Sequence, residues 1–220
     1  MYPCRFSLPH TGYKFLDWAP AQNAFHCGWD LNLGHGDEDL GNSVYTPIKS
    51  KIEYVSPPPT RANRYNGGYG LFVILYHPGF NVWTKYAHLS KVEDIPWDYE
   101  LYEGIKFAEV GKSGTKSAHL HWEMFGAEMH DIQKNYRVNN VNLPFRFYPS
   151  GKSKAYVVKY YINPMKFMGE LIPSDWAKLD WSWAMKNGIV TEQSKPHVNL
   201  TKEELVVLLK NYHDKRNNII

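Results

Sequence analysis

Nine residues constrain this chain more than any others. Ser117-Ala-His119-Leu-His121-Trp-Glu123-Met-Phe125 alternates polar and apolar positions with a period of two. A strand sends His119, His121 and Glu123 to one face and Leu120, Trp122 and Met124 to the other. Two imidazoles then project together, with α-carbons about 7 Å apart. One can ligate a metal while the other reaches a metal-bound water. The plain alternative is a half-exposed strand whose histidines are incidental.

The surrounding sequence favours sheet. Short β-like runs broken by Gly, Pro, Asn and Asp extend from Tyr2 to about Met168, the pattern of strands joined by turns and loops. Val44 to Val55, Gly70 to Tyr76, Asn81 to Leu89, His119 to Phe125 and Ala155 to Ile162 read as strands. Leu71-Phe-Val-Ile-Leu-Tyr76 is apolar without alternation, which predicts a central strand covered on both faces. Pro57 to Gly68 reads as a loop, and Gly126 to Lys154 as a long irregular segment of the kind that often binds ligands.

The pattern changes after Pro173. Ser174 can cap a helix over Asp175 to Asn187 that stops at Gly188, and the capping box Thr201-Lys-Glu-Glu204 opens a second helix with Leu205, Leu208, Leu209 and Tyr212 on one face. The expected architecture is mainly β, an antiparallel domain over residues 1–169 followed by a helical hairpin module over 170–220.

Composition sets the outer limits. A chain of 220 residues with 43% hydrophobic and 21% charged residues is globular, and no apolar run approaches the roughly 18 residues needed for membrane insertion. Twenty-five basic against 22 acidic residues leave +3, too little for a nucleic-acid partner. The opening MYPCRFSLPH carries no apolar core of a secretory leader. Cys4 and Cys27 are too few for a disulfide scaffold, although a single bridge stays open.

Two further places carry chemistry. In Phe25-His26-Cys27-Gly28-Trp29-Asp30-Leu31, an extended chain would hold His26 and Asp30 about 13 Å apart. Metal bonds of about 2.0–2.2 Å cannot span that, so the chain must bend, and Gly28 permits a bend. A structural and a ligand role are both open for this segment. His88 stands in Lys85-Tyr-Ala-His88-Leu-Ser90, at the end of an aromatic strand. Cys27 alternates away from the His26 and Asp30 pair and is expected as a packed thiol. His35, between two glycines, is expected as a loop residue.

Together, His26-x-Gly28-x-Asp30, Gly68-Tyr-Gly70, Tyr86-Ala-His88-Leu-Ser90, Gly111-Lys-Ser-Gly114-Thr115 and His119-x-His121 stand in the order and spacing of a known family. Over roughly Phe25 to Met168 the chain resembles the lysostaphin-type (LytM-like) zinc metallopeptidases that cut peptide bonds in bacterial peptidoglycan. The resemblance implies a small antiparallel sheet with the site in a groove. It also implies Zn2+ held by His26, Asp30 and His121, with His88 and His119 as catalytic histidines. Two neutral imidazoles and one carboxylate leave a fourth tetrahedral position open, as catalytic zinc requires.

The implied function is a zinc-dependent endopeptidase of bacterial peptidoglycan, and the absence of a visible leader implies a phage or prophage lysin held in the host cytoplasm before release. The alternative is a non-catalytic zinc-containing protein of the same fold that binds the wall or activates another hydrolase. Thr11 to Trp18 replaces the Gly-Arg turn usual in the family. Gly34 to Gly41, Pro57 to Gly68 and Gly126 to Lys154 are longer than the simplest members need, and substrate choice is expected to reside in them. The carboxy-terminal helix pair resembles S-layer homology modules and the ends of some phage lysins.

Overall fold

The computed structural model describes residues 3, 12–32, 34, 36–62, 64–96 and 99–171. The two expected carboxy-terminal helices, His35 and Cys4 lie outside the described residues. The chain divides into Met1–Phe167 and Met168–Ile220, and the architecture below is that of the first unit. Among the described residues no helix is long and apolar enough to cross a membrane.

The first unit is built on antiparallel sheets, as the alternation in the sequence predicts. The largest has seven strands. Leu71–His77 lies between Val82–Leu89 and Ser50–Val55, with Glu100–Leu101 beyond the latter. On its other side Val82–Leu89 pairs with Leu120–Phe125, whose far edge is shared by Gly28–Leu31 and Tyr161–Ile162. A second sheet of three strands places Lys106–Glu109 between Ser43–Tyr45 and Lys91–Val92.

Leu71–His77 is central, and Phe72, Val73, Ile74 and Leu75 are wholly buried. Fully burying such side chains contributes about 1.5–3 kcal/mol each. Leu120–Phe125 is buried at every position, so its polar face is not the solvent face of an ordinary half-exposed strand. On its apolar side Trp122 stacks with Tyr86, ring centroids 6.4 Å apart, and Tyr86 meets Phe107 of the second sheet edge-on at 5.0 Å.

Three expectations are corrected. Val44 to Val55 is two strands, Ser43–Tyr45 and Ser50–Val55, in different sheets; Pro47 interrupts them, since proline has no N–H for a ladder. Ala155 to Ile162 is the helix Lys154–Tyr160 followed by the short strand Tyr161–Ile162. Ser153 Oγ accepts the Tyr156 N–H at 3.2 Å and caps that helix, and Val157 is its one buried residue, with Tyr156 and Tyr160 packed part-buried against the core.

Gly126 to Lys154, expected to be irregular, opens with the helix Ala127–Lys134. A hairpin pairing Arg137–Val138 with Val141–Asn142 follows. Asn139 and Asn140 both have positive φ (48° and 64°), the tight turn that asparagine tolerates best. Met129 and Phe145 from this segment, with Val157 and Tyr161, complete a core around Cys27, Tyr69, Ala87 and Phe125. The segment therefore roofs the sheet face that carries His121 and Glu123.

Candidate metal centre

Asp30 and His121 face each other across the pairing of Gly28–Leu31 with Leu120–Phe125. His26 reaches the same point from just before that strand. His26 Nε2 lies 3.1 Å from Asp30 Oδ1 and 3.1 Å from His121 Nδ1, and His121 Nδ1 lies 2.9 Å from Asp30 Oδ1. All three residues are buried. The 13 Å separation of a straight strand is avoided because His26 lies before the strand and Asp30 lies within it.

Gly28 matters for a reason other than the expected bend. A Cβ there would stand 2.4 Å from the Trp122 carbonyl oxygen, so the absence of a side chain lets the two ligand strands touch. Gly28→Ala is expected to push them apart, destabilise the fold by about 1–3 kcal/mol, and reduce metal uptake. Thermal melting and metal content of the purified variant check this; an unshifted melt with full uptake would contradict it.

The outer nitrogens of the histidines define which atoms face inward. His26 Nδ1 is 2.8 Å from the Gly28 carbonyl, an acceptor, so it carries the hydrogen and leaves Nε2 a lone pair. His121 Nε2 donates to the Glu123 carboxylate at 3.1 Å, leaving Nδ1 bare. Three lone-pair atoms thus converge with no hydrogen among them, which only a cation or a proton relieves. Their spacings suit the edges of a tetrahedron with metal bonds of about 2.0–2.1 Å, and two nitrogens with one carboxylate oxygen are a zinc donor set.

The electrostatics agree. Burial opposes charge on His121, yet hydrogen bonds to Asp30 and Glu123 and their charges outweigh it and raise its pKa to about 9. Burial likewise opposes the Asp30 carboxylate, but the neighbouring imidazoles His26 and His121 hold it well below the usual range.

His88 and His119 lie beside this triangle. Their rings are 4.6 Å apart, and His119 Nε2 is 3.8 Å from Asp30 Oδ1. His119 Nδ1 donates to the Ser117 carbonyl at 3.1 Å and His88 Nδ1 to the Ser113 carbonyl at 3.0 Å. With Nδ1 facing a carbonyl, the other nitrogen of each ring, Nε2, is the one left to accept a proton. Burial, then the neighbouring His119 and His121, lowers the His88 pKa to about 3, so the His88 ring is uncharged in the resting site.

Strict alternation would put His88 on the opposite face from Lys85 and Ala87. Instead its φ is +63°, and the pairing with Leu71–His77 shifts register nearby. This bulge turns His88 back towards His121, with ring centroids 6.0 Å apart. A left-handed histidine costs roughly 1–3 kcal/mol, offset here by its N–H bond to the Tyr69 carbonyl at 2.9 Å.

All five histidine and aspartate residues line one groove of about 880 Å³, with Tyr13, Tyr69, Tyr148, Gly67, Gly68, Gly114 and Thr115 among its walls. Gly114, at φ +79°, has no room for a Cβ, which would stand 2.4 Å from the Gly68 carbonyl oxygen. Tyr13 and Asp17 form part of the groove where the Thr11 to Trp18 departure falls. Of the loops expected to choose substrate, Pro57 to Gly68 contributes Gly67 and Gly68, and Gly126 to Lys154 contributes Tyr148 and Ser150. In Gly34 to Gly41, Asp37 is engaged by Lys112 and by the Ala118 N–H.

Sequence reasoning did not single out Tyr148, Tyr69 or Lys85. Tyr148 comes from a segment with no periodic signal; burial, with Cys27, Asp30 and Glu123 nearby, raises its pKa and keeps its hydroxyl a donor. Cys27 is buried as expected, but its thiol is tied to the centre, donating to Glu123 Oε2 at 3.0 Å.

Residues 24–134 match peptidase family M23, and the chain belongs to that family. Among solved structures it is similar to a zinc-containing peptidase from Vibrio cholerae at 23% identity, covering 56% of this chain and 35% of that one, TM-score 0.43. It is also similar to the catalytic domain of the antimicrobial peptidase lysostaphin from Staphylococcus simulans at 18% identity, covering 72% and 90%, TM-score 0.46. A third is the catalytic domain of a mutant of the prophage-encoded M23 protein EnpA from Enterococcus faecalis at 20% identity, covering 57% and 88%, TM-score 0.43. The chain thus spans about a third of the length of the Vibrio protein. No match is found among curated proteins.

Proposed function

We propose that this chain is a zinc-dependent endopeptidase that hydrolyses stem peptides or cross-links of bacterial peptidoglycan. The observation that carries the reading is the convergence of His26, Asp30 and His121 within 3.1 Å of one another, beside two further imidazoles, His88 and His119, in one groove. Family M23 membership and the sequence resemblance support it. His26, Asp30 and His121 would hold the zinc, which supplies Lewis acidity to activate water and polarise the scissile carbonyl.

The chain's own groups do the rest. With Nδ1 tied to backbone carbonyls, His88 and His119 present Nε2 to take a proton from the attacking water. Once protonated, the same nitrogen can stabilise the developing oxyanion and then release its proton to the leaving amine. The Tyr148 hydroxyl in the groove wall is a further donor suited to a carbonyl oxygen. A phage or prophage lysin is the finer reading, supported by the likeness of the carboxy-terminal sequence to the ends of some phage lysins.

The deciding experiment combines metal content with product analysis. Purified protein is expected to hold about one zinc and to release defined peptide fragments from purified sacculi, seen by mass spectrometry with several wall chemistries. Protein that retains zinc and binds sacculi, yet releases no fragment from any wall type, would establish the non-catalytic alternative instead.

A further inference from the structure

Behind the three converging donors lies a buried charge cluster with no evident solvent role. Glu123 and Lys85 are register partners on adjacent strands, and both are fully buried. Glu123 Oε1 is 2.5 Å from Lys85 Nζ. Glu123 Oε2 accepts from His121 Nε2–H at 3.1 Å, from the Cys27 thiol at 3.0 Å and from the Tyr69 hydroxyl at 3.3 Å.

The lysine is equally constrained. Its ammonium reaches Gln133 Oε1 at 3.4 Å and stands 3.8 Å from the centroid of the Tyr69 ring. Gln133 is held in turn by donating to the Phe147 carbonyl and the Tyr161 hydroxyl.

Stability alone does not explain such a pair. Desolvating two charges costs several kcal/mol per ion, and well-packed apolar replacements are often as stable or more so. An ion pair at this place has a geometric consequence instead. A partner on the second nitrogen fixes the tautomer and orientation in which an imidazole offers the first to a metal, and a carboxylate also raises its basicity. A carboxylate bound at one oxygen can still swing; bound at both, it cannot.

We propose that Lys85 and Glu123 are positioning residues for His121. Lys85 clamps one carboxylate oxygen, so that the other holds His121 Nε2–H and aims Nδ1 at Asp30 and His26. Cys27 and Tyr69 fill the remaining acceptor capacity of that second oxygen. The inference rests on the zinc reading above and extends it to residues that do not touch the metal.

Zinc affinity of the full chain, measured by competition with a chromogenic chelator, tests it. Glu123→Gln and Lys85→Met are each expected to weaken zinc binding 10–100-fold. The double variant K85M/E123Q carries no unpaired buried charge; it is expected to fold by circular dichroism and to bind zinc as weakly as the singles. Nitrogen-15 NMR of the metal-free proteins above pH 9, where His121 has lost its second proton, should show the Nε2–H tautomer of His121 dominant in wild type and a tautomer mixture in the variants. Wild-type zinc affinity in the folded double variant, with the single tautomer retained, would overturn the proposal, and this variant decides even if Lys85→Met alone does not fold. A wild type that takes up no zinc would overturn the zinc reading, while the tautomer comparison would still test the clamp.

Discussion

His121→Ala is expected to lose zinc and peptide hydrolysis together, whereas His119→Ala should keep about one zinc and lose about 10²–10⁴-fold in rate. The difference follows from position. His121 Nδ1 lies 2.9 Å from Asp30 Oδ1 and belongs to the converging triangle, while His119 Nε2 stands 3.8 Å away and outside it. Removing one of three protein donors leaves a two-donor site that zinc does not hold firmly, while removing a proton acceptor leaves the donor set whole. His88→Ala should behave as His119→Ala does. Elemental analysis of the purified variants, alongside fragment release from sacculi, makes the comparison, and equal zinc loss in His119→Ala and His121→Ala would refute the division of roles.

The metal-free protein should also lose stability as pH rises, the reverse of an ordinary acid-labile protein. The His121 pKa stands near 9 in the fold against about 6.5 in an unfolded chain. Its protonated form therefore stabilises the fold fully below about pH 6.5, and this contribution is lost as pH rises through 9. The interval corresponds to on the order of 3 kcal/mol. At the acid end, Asp30 and Glu123 are both held below their usual values despite burial, so their contribution is lost as pH falls through those depressed values.

On the proposed zinc reading the metal would take the proton's place among the three donors, so saturating zinc should abolish the alkaline loss. Zinc affinity should fall by about tenfold for each pH unit below 9, because one proton must be displaced. Melting curves from pH 6 to 10, with chelator and with zinc, read both effects. A metal-free melting point that does not fall over that range would contradict the proton-holding triangle.

Much of this was legible beforehand because strand alternation is a local property. The period of two through His119 to Phe125 correctly placed His119, His121 and Glu123 on one face, and the apolar run Leu71 to Tyr76 correctly marked a central strand. Burial of the polar face was not legible, because it comes largely from Met129, Gln133 and Phe145 of a segment with no clear periodicity, joined by Tyr161. One signal there was available, the Asn139-Asn140 pair between valines, which marks the hairpin turn. Lys85 is a different case. A lysine in a strand reads as a solvent-facing residue, and only the roof and the opposing Glu123 make it a core residue.

The amino-acid order by itself determined which chemical groups are available and the strand that presents His119 and His121 together. Only the tertiary structure decided that His26 and Asp30 meet His121, that His88 turns to the same face, and that Glu123 is clamped from behind. The physical reason is range. Side-chain periodicity is written by backbone geometry within a few residues, whereas cross-strand register, a bulge at a left-handed histidine and the loss of solvent from a polar face exist only when distant segments pack.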